Sequence, residues 1–364
     1  MLATDPNASG GWSRHSRDLI HALSDQGITI TLITEQSARA ENLPVRAVHR
    51  ILPNLLRDVP RFFTPRLLLK RSAVQRIAVQ SDLMHVIAEP YTLVARGYEK
   101  PLVVTAHGTY LPQTATKGRF APLYQYMYRR AQVICVSFYT EGRVKRAVSG
   151  VHTTVIPNGV DLRRFMGEAH PVEKRGPTIL VVGQVKARKG FHILAKAMAA
   201  VRREIPEAQA VFIGDDRADP NYVNQIKEDL AAQNLSDAVQ WVGKVDDATL
   251  RGWYAAADIF ALPALNVGDR FEGFGLVYLE ASAARLPVIG TRDNGAEDAI
   301  RDGETGLLVP QNDPEALAQV AVKLLRDADL RQRMGQAGYT FAAQHTWERT
   351  ARETIALYQR LIGR

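Results

Sequence analysis

The sequence predicts an α/β protein of two doubly wound domains, each built on its own parallel sheet. Three observations predict it. Short, β-branched, nearly continuous apolar runs alternate with longer helical patterns through the whole chain, as in parallel strands covered on both faces. The runs are too many for one comfortable open sheet, and the series restarts near Ile179. The 364 residues suffice for two or three domains, each with its own core.

The elements follow in order. A short apolar segment, 1–4, precedes Asp5-Pro6-Asn7-Ala8-Ser9-Gly10-Gly11. A buried strand usually runs about five or six residues, so either this strand is unusually short or, the favoured expectation, the chain starts downstream of its natural start. Strands are expected over 29–34, 83–87, 102–106 and 133–137, then over 179–182, 210–213, 259–262, 288–290 and 307–309. Helical patterns cover 14–23, 192–203 and 314–326, among others. The polar stretch 163–177 is the expected linker. The expected division is a first domain over 1–165, a second over 166–345, and a closing helix over 346–364 that packs back towards the first.

Composition narrows the class. The chain is 46% hydrophobic and 23% charged, far from the profile of disorder. One cysteine, Cys135, excludes an internal disulfide framework and a zinc site of several thiolates. No apolar run approaches the roughly 20 residues of a membrane-spanning helix, and the first residues lack the features of a signal peptide. The expected location is the cytoplasm. The net charge of +8 is unevenly spread: 22 Lys and Arg stand against 12 Asp and Glu in residues 1–170, and 24 against 26 in residues 171–364. The first domain is therefore expected to face something anionic.

Several segments have the residues for chemistry. Gly10-Gly11 sits at a strand-to-helix turn, where paired glycines admit a phosphate beside a helix N-terminus or simply make a tight turn. Gly183-Gln184-Val185-Lys186-Ala187-Arg188-Lys189-Gly190 sets three cations at a strand's carboxyl end, either as a ligand site or as a solvated basic loop. It lacks the P-loop pattern. The densest segment is Glu272-Gly273-Phe274-Gly275-Leu276-Val277-Tyr278-Leu279-Glu280, two acids around a glycine-rich turn before a helix. Amides there could hold a diphosphate, Glu280 a ribose and Glu272 a sugar. His107 closes the apolar strand 102–106, as a site residue or as a hydrogen-bonded structural histidine. Asp215-Asp216 reads as a polar turn rather than a metal site, and Asp327-Ala328-Asp329 as a junction between helices. No acidic metal cluster is expected.

Together these residues resemble the retaining nucleotide-sugar glycosyltransferases of family 4, which have the GT-B fold of two facing Rossmann-like domains. The resemblance spans nearly the whole chain. It rests on Gly10-Gly11, His107-Gly108, Val155-Ile156-Pro157-Asn158-Gly159-Val160-Asp161 and the Gly183–Gly190 loop. It continues through Trp241-Val242-Gly243, the Glu272…Glu280 pair, Thr305-Gly306-Leu307-Leu308-Val309 and the Trp347 helix. It implies a hexosyltransferase that moves sugar from a nucleoside diphosphate to a glycan or lipid-linked acceptor, by front-face attack with retention. It also implies roles. Gly10, Gly11 and Lys189 would hold the donor diphosphate with the amides of Leu276 and Val277, at the Gly273-Phe274-Gly275 turn. Glu280 would hold the ribose, Glu272 the transferred sugar, and backbone near Gly243-Lys244-Val245 the base. His107 would lie by the sugar and acceptor, so that His107, Glu272 and Lys189 form the catalytic set. The family has an arginine after the Gly183 position. Here it is Gln184, and an amide does not replace a bidentate cation, so Lys186 or Arg188 would have to take over. Fixed cations and helix amides would stabilise the leaving diphosphate without a metal or other cofactor.

Other readings compete with this one. A hydrolase or epimerase of the same fold would act on the nucleotide sugar alone. A pI of about 9.6 suggests nucleic-acid binding, but no helix-turn-helix, RNA-recognition or zinc-finger pattern is present, so no nucleic-acid partner is expected. A dehydrogenase lacks its glycine fingerprint and following acid. Finally, residues 57–76 hold six cations and one Asp, with Phe62-Phe63 and 67–69 interleaved. Arg61, Phe62, Phe63, Arg66, Lys70 and Arg71 are read as a patch for an anionic membrane surface or acceptor, against a basic helix packed on its own domain.

Overall fold

The computed structural model describes residues 1–8, 10–55, 60–165, 167–217 and 219–363, with only the backbone of 60–62. The chain forms two compact units. The first holds Met1–Asn158 and Trp347–Arg364; the second holds Gly159–Thr346. The chain thus crosses between units at Asn158-Gly159. The expected linker, 163–177, lies inside the second unit instead, and its first residues, 163–165, belong to the 3-10 turn Leu162–Phe165.

The first unit is a seven-stranded sheet: β1 (Leu2–Ala3), β2 (Thr31–Glu35), β3 (Ala47–Leu52), β4 (Met84–Val86), β5 (Leu102–Ala106), β6 (Gln132–Cys135) and β7 (His152–Val155). Their order is β3-β2-β1-β4-β5-β6-β7, and every pairing is parallel. Strand order reverses between β1 and β4, so the loops leaving these two strands diverge and open a crevice at their carboxyl ends. The helix Gly11–Asp25 leaves β1 there. The helix Trp347–Ile362 packs along it. That terminal helix is pinned where Tyr358 OH meets His85 Nδ1 at 2.5 Å and Thr350 Oγ1 donates to the Pro157 carbonyl.

The second unit is a six-stranded parallel sheet: β8 (Thr178–Val182), β9 (Gln209–Ile213), β10 (Val239–Gly243), β11 (Ile259–Ala261), β12 (Val288–Thr291) and β13 (Gly306–Val309). Its order is β10-β9-β8-β11-β12-β13, with the reversal between β8 and β11. The two loops at that reversal are Gly183–Gly190 and the segment ending at Gly275. Both sheets are flanked by helices, the doubly wound α/β architecture that the alternating pattern predicts.

The apolar pattern did not mark β3, β7 and β10. Each lies at a sheet edge. Their residues are mostly half-buried, so they do not read as the unbroken apolar runs of central strands.

The basic segment is corrected in part. Phe63 is 6% exposed and Leu67 fully buried, both in the core of the first unit, with Phe63 against the Tyr91 ring. Arg71 lies back against the turn at Gly97. These three residues therefore face their own domain. Arg66 is exposed, Lys70 partly so, and Leu69 is 82% exposed. Residues 57–59 and the side chains of Arg61 and Phe62 lie outside the described residues.

Candidate active site

In the second unit, two loops meet at the strand reversal. Gly190 has φ +72°, and a Cβ there would stand 1.8 Å from the Pro263 carbonyl oxygen. Only glycine permits this approach. The contact continues where the Leu265 N–H donates to the Arg188 carbonyl at 2.8 Å. The β8 loop is thereby laid along the β11 loop, and its cations reach Glu272. Lys189 Nζ donates to Glu272 Oε2 at 2.5 Å, and Arg188 Nη1 donates to the same oxygen at 3.1 Å and to the Phe271 carbonyl at 3.2 Å.

Glu272 is buried, which favours its neutral form, yet the Lys189 and Arg188 charges outweigh burial and hold its pKa at about 2. At Lys189 the balance differs: burial, assisted by Arg188, outweighs the attraction of Glu272 and lowers its pKa. One carboxylate faces two cations, which leaves the cluster one positive charge in excess. Both cations converge on Oε2, so Oε1 is the oxygen able to accept from a ligand hydroxyl. Gln184 and Lys186 are exposed on the same loop.

Gly275, at φ +82°, starts the helix Leu276–Ala283; a Cβ there would strike the Tyr278 ring at 2.5 Å. No side chain caps this helix, and its first turn has no acid, so the amides at Leu276 and Val277 present the positive end of the helix dipole. Phe274 is buried beneath the turn. Glu280 lies one turn on and is 4% exposed; Tyr254 OH donates to its Oε2 at 3.2 Å and Arg164 Nη1 lies 3.7 Å from Oε1. Arg164 also pairs with Asp247. Val245 is half-buried after the Gly243 turn.

The first unit holds a separate group. Gly10 caps the helix Gly11–Asp25, again without a side-chain cap or an acid in the first turn. A Cβ on Gly11 would meet no atom of the described residues within 4 Å, so their packing does not require glycine there. His107, at the end of β5, donates its main-chain N–H to Glu89 Oε1 at 2.8 Å, and its Nε2 meets the Ile87 carbonyl at 3.0 Å. His15 stands edge-on to it at 4.4 Å, and Trp12 at 6.2 Å. Burial, with the nearby His15, holds the His107 pKa well below the usual range. Burial likewise lowers His15 to about 4, against the bond from its Nδ1 to Asn158.

The structure thus joins Arg188, Lys189 and Glu272 directly and sets Glu280 in its own cluster. Sequence reasoning missed Glu89, His15, Tyr254 and Arg164. Glu89 could have been found by the logic applied to His107, since it follows the apolar strand 83–87 at its carboxyl end. Nothing local marks Tyr254 or Arg164. Among the described residues no group of three His, Cys, Asp or Glu could hold a metal ion, and no helix is long and apolar enough to cross a membrane.

Comparison with known proteins identifies the family of the chain. The family model Glycosyltransferase Family 4 matches residues 9–164, and Glycosyl transferases group 1 matches residues 163–341. A phosphatidyl-myo-inositol mannosyltransferase of Mycobacterium tuberculosis is 30% identical over 275 residues, 73% of this chain and 69% of that protein. The chain belongs to glycosyltransferase family 4. A second relative, the GDP-mannose-dependent monoacylated alpha-(1-6)-phosphatidylinositol monomannoside mannosyltransferase of Corynebacterium glutamicum, is 34% identical over 229 residues, 58% of either protein. The family-4 chain described here therefore spans little more than half the length of that curated relative. In structure it resembles the sucrose-phosphate synthase of Thermosynechococcus elongatus, with a TM-score of 0.82 and 25% identity, over 100% of this chain and 99% of that one. The fold is GT-B.

Proposed function

We propose that this protein transfers a hexose from a nucleoside-diphosphate sugar to an inositol-containing, lipid-linked acceptor, with retention and without a metal ion. The observation that carries the reading is the Lys189–Glu272–Arg188 cluster at the strand reversal of the second sheet, beside an uncapped helix start. The relatives' names support the acceptor class: one is a phosphatidyl-myo-inositol mannosyltransferase and another uses GDP-mannose.

The chemistry follows from charge. As the nucleoside diphosphate departs, negative charge grows on its phosphates. Lys189, the excess charge of the cluster and the amides at Leu276 and Val277 stabilise it by fixed, pre-oriented dipoles and cations. Glu272 Oε1 accepts a hydroxyl of the transferred sugar, and Glu280 accepts from the ribose. Gln184 brings no charge to the phosphates, so the exposed Lys186 supplies the second cation of this loop. His107, neutral at physiological pH, accepts a hydroxyl hydrogen of the acceptor. We also infer that the protein docks on anionic lipid through Arg66 and Lys70, with Leu69 entering the interface.

The deciding experiment incubates the protein with GDP-mannose or UDP-glucose and vesicles containing phosphatidylinositol. A glycosylated lipid seen by mass spectrometry, with an α-anomeric signal by NMR, is the expected result. Donor consumption that needs no acceptor would instead favour the hydrolase or epimerase reading, and no reaction with either donor would count against both.

A further inference from the structure

We propose that Glu89 is a positioning residue for His107: a buried carboxyl that, with the Ile87 carbonyl, holds the strand-end histidine as its Nε2–H tautomer and leaves Nδ1 as the acceptor. The kinetic part of this inference rests on the transfer reading above; the structural part does not.

The geometry is a two-point grip. Residues 87–89 leave β4 beside the end of β5. Ile87 takes the ring of His107 at Nε2, 3.0 Å away, and Glu89 takes its main-chain N–H at 2.8 Å. A carbonyl oxygen only accepts, so Nε2 bears the proton and Nδ1 keeps its lone pair. Glu89 is itself immobilised. Its carbonyl accepts from Thr92 Oγ1 at 2.6 Å and from Tyr128 OH at 3.3 Å, and Tyr128 OH also meets Thr114 Oγ1.

The state of the carboxyl follows from its surroundings. Glu89 is fully buried, and its Oε2 has no partner among the described residues. The titratable groups that face it are His107 from β5, Tyr128 from the helix Ala121–Arg130 and Cys135 from β6, and none is a cation at neutral pH. Among the described residues Glu89 makes no ion pair. A lone carboxylate in such a place is costly, so the group keeps its proton. Burial pushes its pKa up to about 8, although the N–H bonds from its own backbone and from His107 oppose this. A glutamine at this position would serve purely as packing equally well, but so would a leucine if no N–H had to be held. The bond to His107 is what separates the two.

The test reads the tautomer directly. Protein labelled with 15N-histidine is examined by two-bond 15N–1H NMR at pH 7, with His107 assigned by its absence in His107→Gln. The expected wild-type signal is neutral, with the proton on Nε2. Glu89→Gln, which keeps an accepting oxygen, retains this signal and most of the kcat with GDP-mannose and phosphatidylinositol vesicles. Glu89→Ala yields mixed tautomers and lowers kcat on the order of 10²-fold, the loss that about 1 Å of misplacement brings, with little change in the donor KM. A wild-type His107 protonated on Nδ1 overturns the proposal. So does Glu89→Ala with an unchanged signal, or Glu89→Gln that loses it. Should Glu89→Ala fail to fold, Glu89→Leu, which keeps the packing and removes the acceptor, decides in its place: mixed tautomers support the proposal and an unchanged signal overturns it. The signal is read without substrate, so failure of the transfer reading would leave it intact and remove only the product.

Discussion

Lys189 Nζ lies 2.5 Å from Glu272 Oε2, the oxygen that also receives Arg188 at 3.1 Å. Two cations thus share one atom of one carboxylate, and the pairing keeps Lys189 in place and half-buried while Glu272 retains a second oxygen. Replacing Lys189 by Ala removes the cation best placed for phosphate. GDP affinity should fall by about 1.5–3 kcal/mol, the range for a bond to a charged group. Calorimetry on Lys189→Ala checks this, and unchanged affinity would take Lys189 out of the phosphate site.

Acid should loosen the second unit through Glu272. Its folded pKa of about 2 lies below the ordinary 4.5, so the native state releases this proton more readily than the unfolded chain. The stability it contributes is fully present above about pH 4.5 and is lost as pH falls towards 2. Thermal melts between pH 6 and pH 2.5 should show this loss, and Glu272→Gln should flatten it.

Glu89 acts with the opposite sign. Its folded pKa of about 8 exceeds the ordinary 4.5, so between these values the native state holds a proton that the unfolded chain has released. Its contribution therefore weakens as pH rises from about 4.5 to about 8. Glu89→Gln should gain stability over wild type at pH 8 relative to pH 5. Parallel melting curves for the two proteins across that window would contradict this.

Turnover should survive removal of divalent metal. The proposed stabilisation of the leaving diphosphate uses Lys189, the Arg188–Glu272 cluster and helix amides. Product formation after exhaustive EDTA treatment and gel filtration is the expected outcome. Complete loss, restored by magnesium or manganese, would refute it.

Vesicle binding should separate the two faces of the helix Pro60–Leu69. Arg66→Glu with Lys70→Glu should weaken co-sedimentation with anionic vesicles, since each cation near such a surface contributes about 1 kcal/mol, and leave the melting temperature nearly unchanged. Phe63→Ala should instead destabilise the first unit by about 3–5 kcal/mol, as for a large aromatic removed from a core. Binding insensitive to lipid charge would end the docking inference.

Local and periodic features are legible in the amino-acid order alone. Nine apolar runs lie on nine of the strands, from β2 to β13; eight of these are interior to their sheets, buried on both faces and so apolar throughout, and the ninth, β13, is an edge strand. The glycines at 190 and 275 were legible because left-handed backbone and close approach exclude every side chain, a restriction written into the residue itself. What remained illegible was non-local. Edge strands such as β7 are half-exposed and mix polar with apolar residues. The Phe62-Phe63 and 67–69 segment could not announce which of its faces would be buried, since a basic amphipathic helix reads alike against lipid or against its own core. Only the tertiary structure put Phe63 on Tyr91, brought Arg188 and Lys189 from one loop onto Glu272 of another, and buried Glu89 beneath His107. Charge pairing and desolvation depend on distance in space, and residues 83 apart in the chain, as Lys189 and Glu272 are, become neighbours only when the two loops at a strand reversal are folded together.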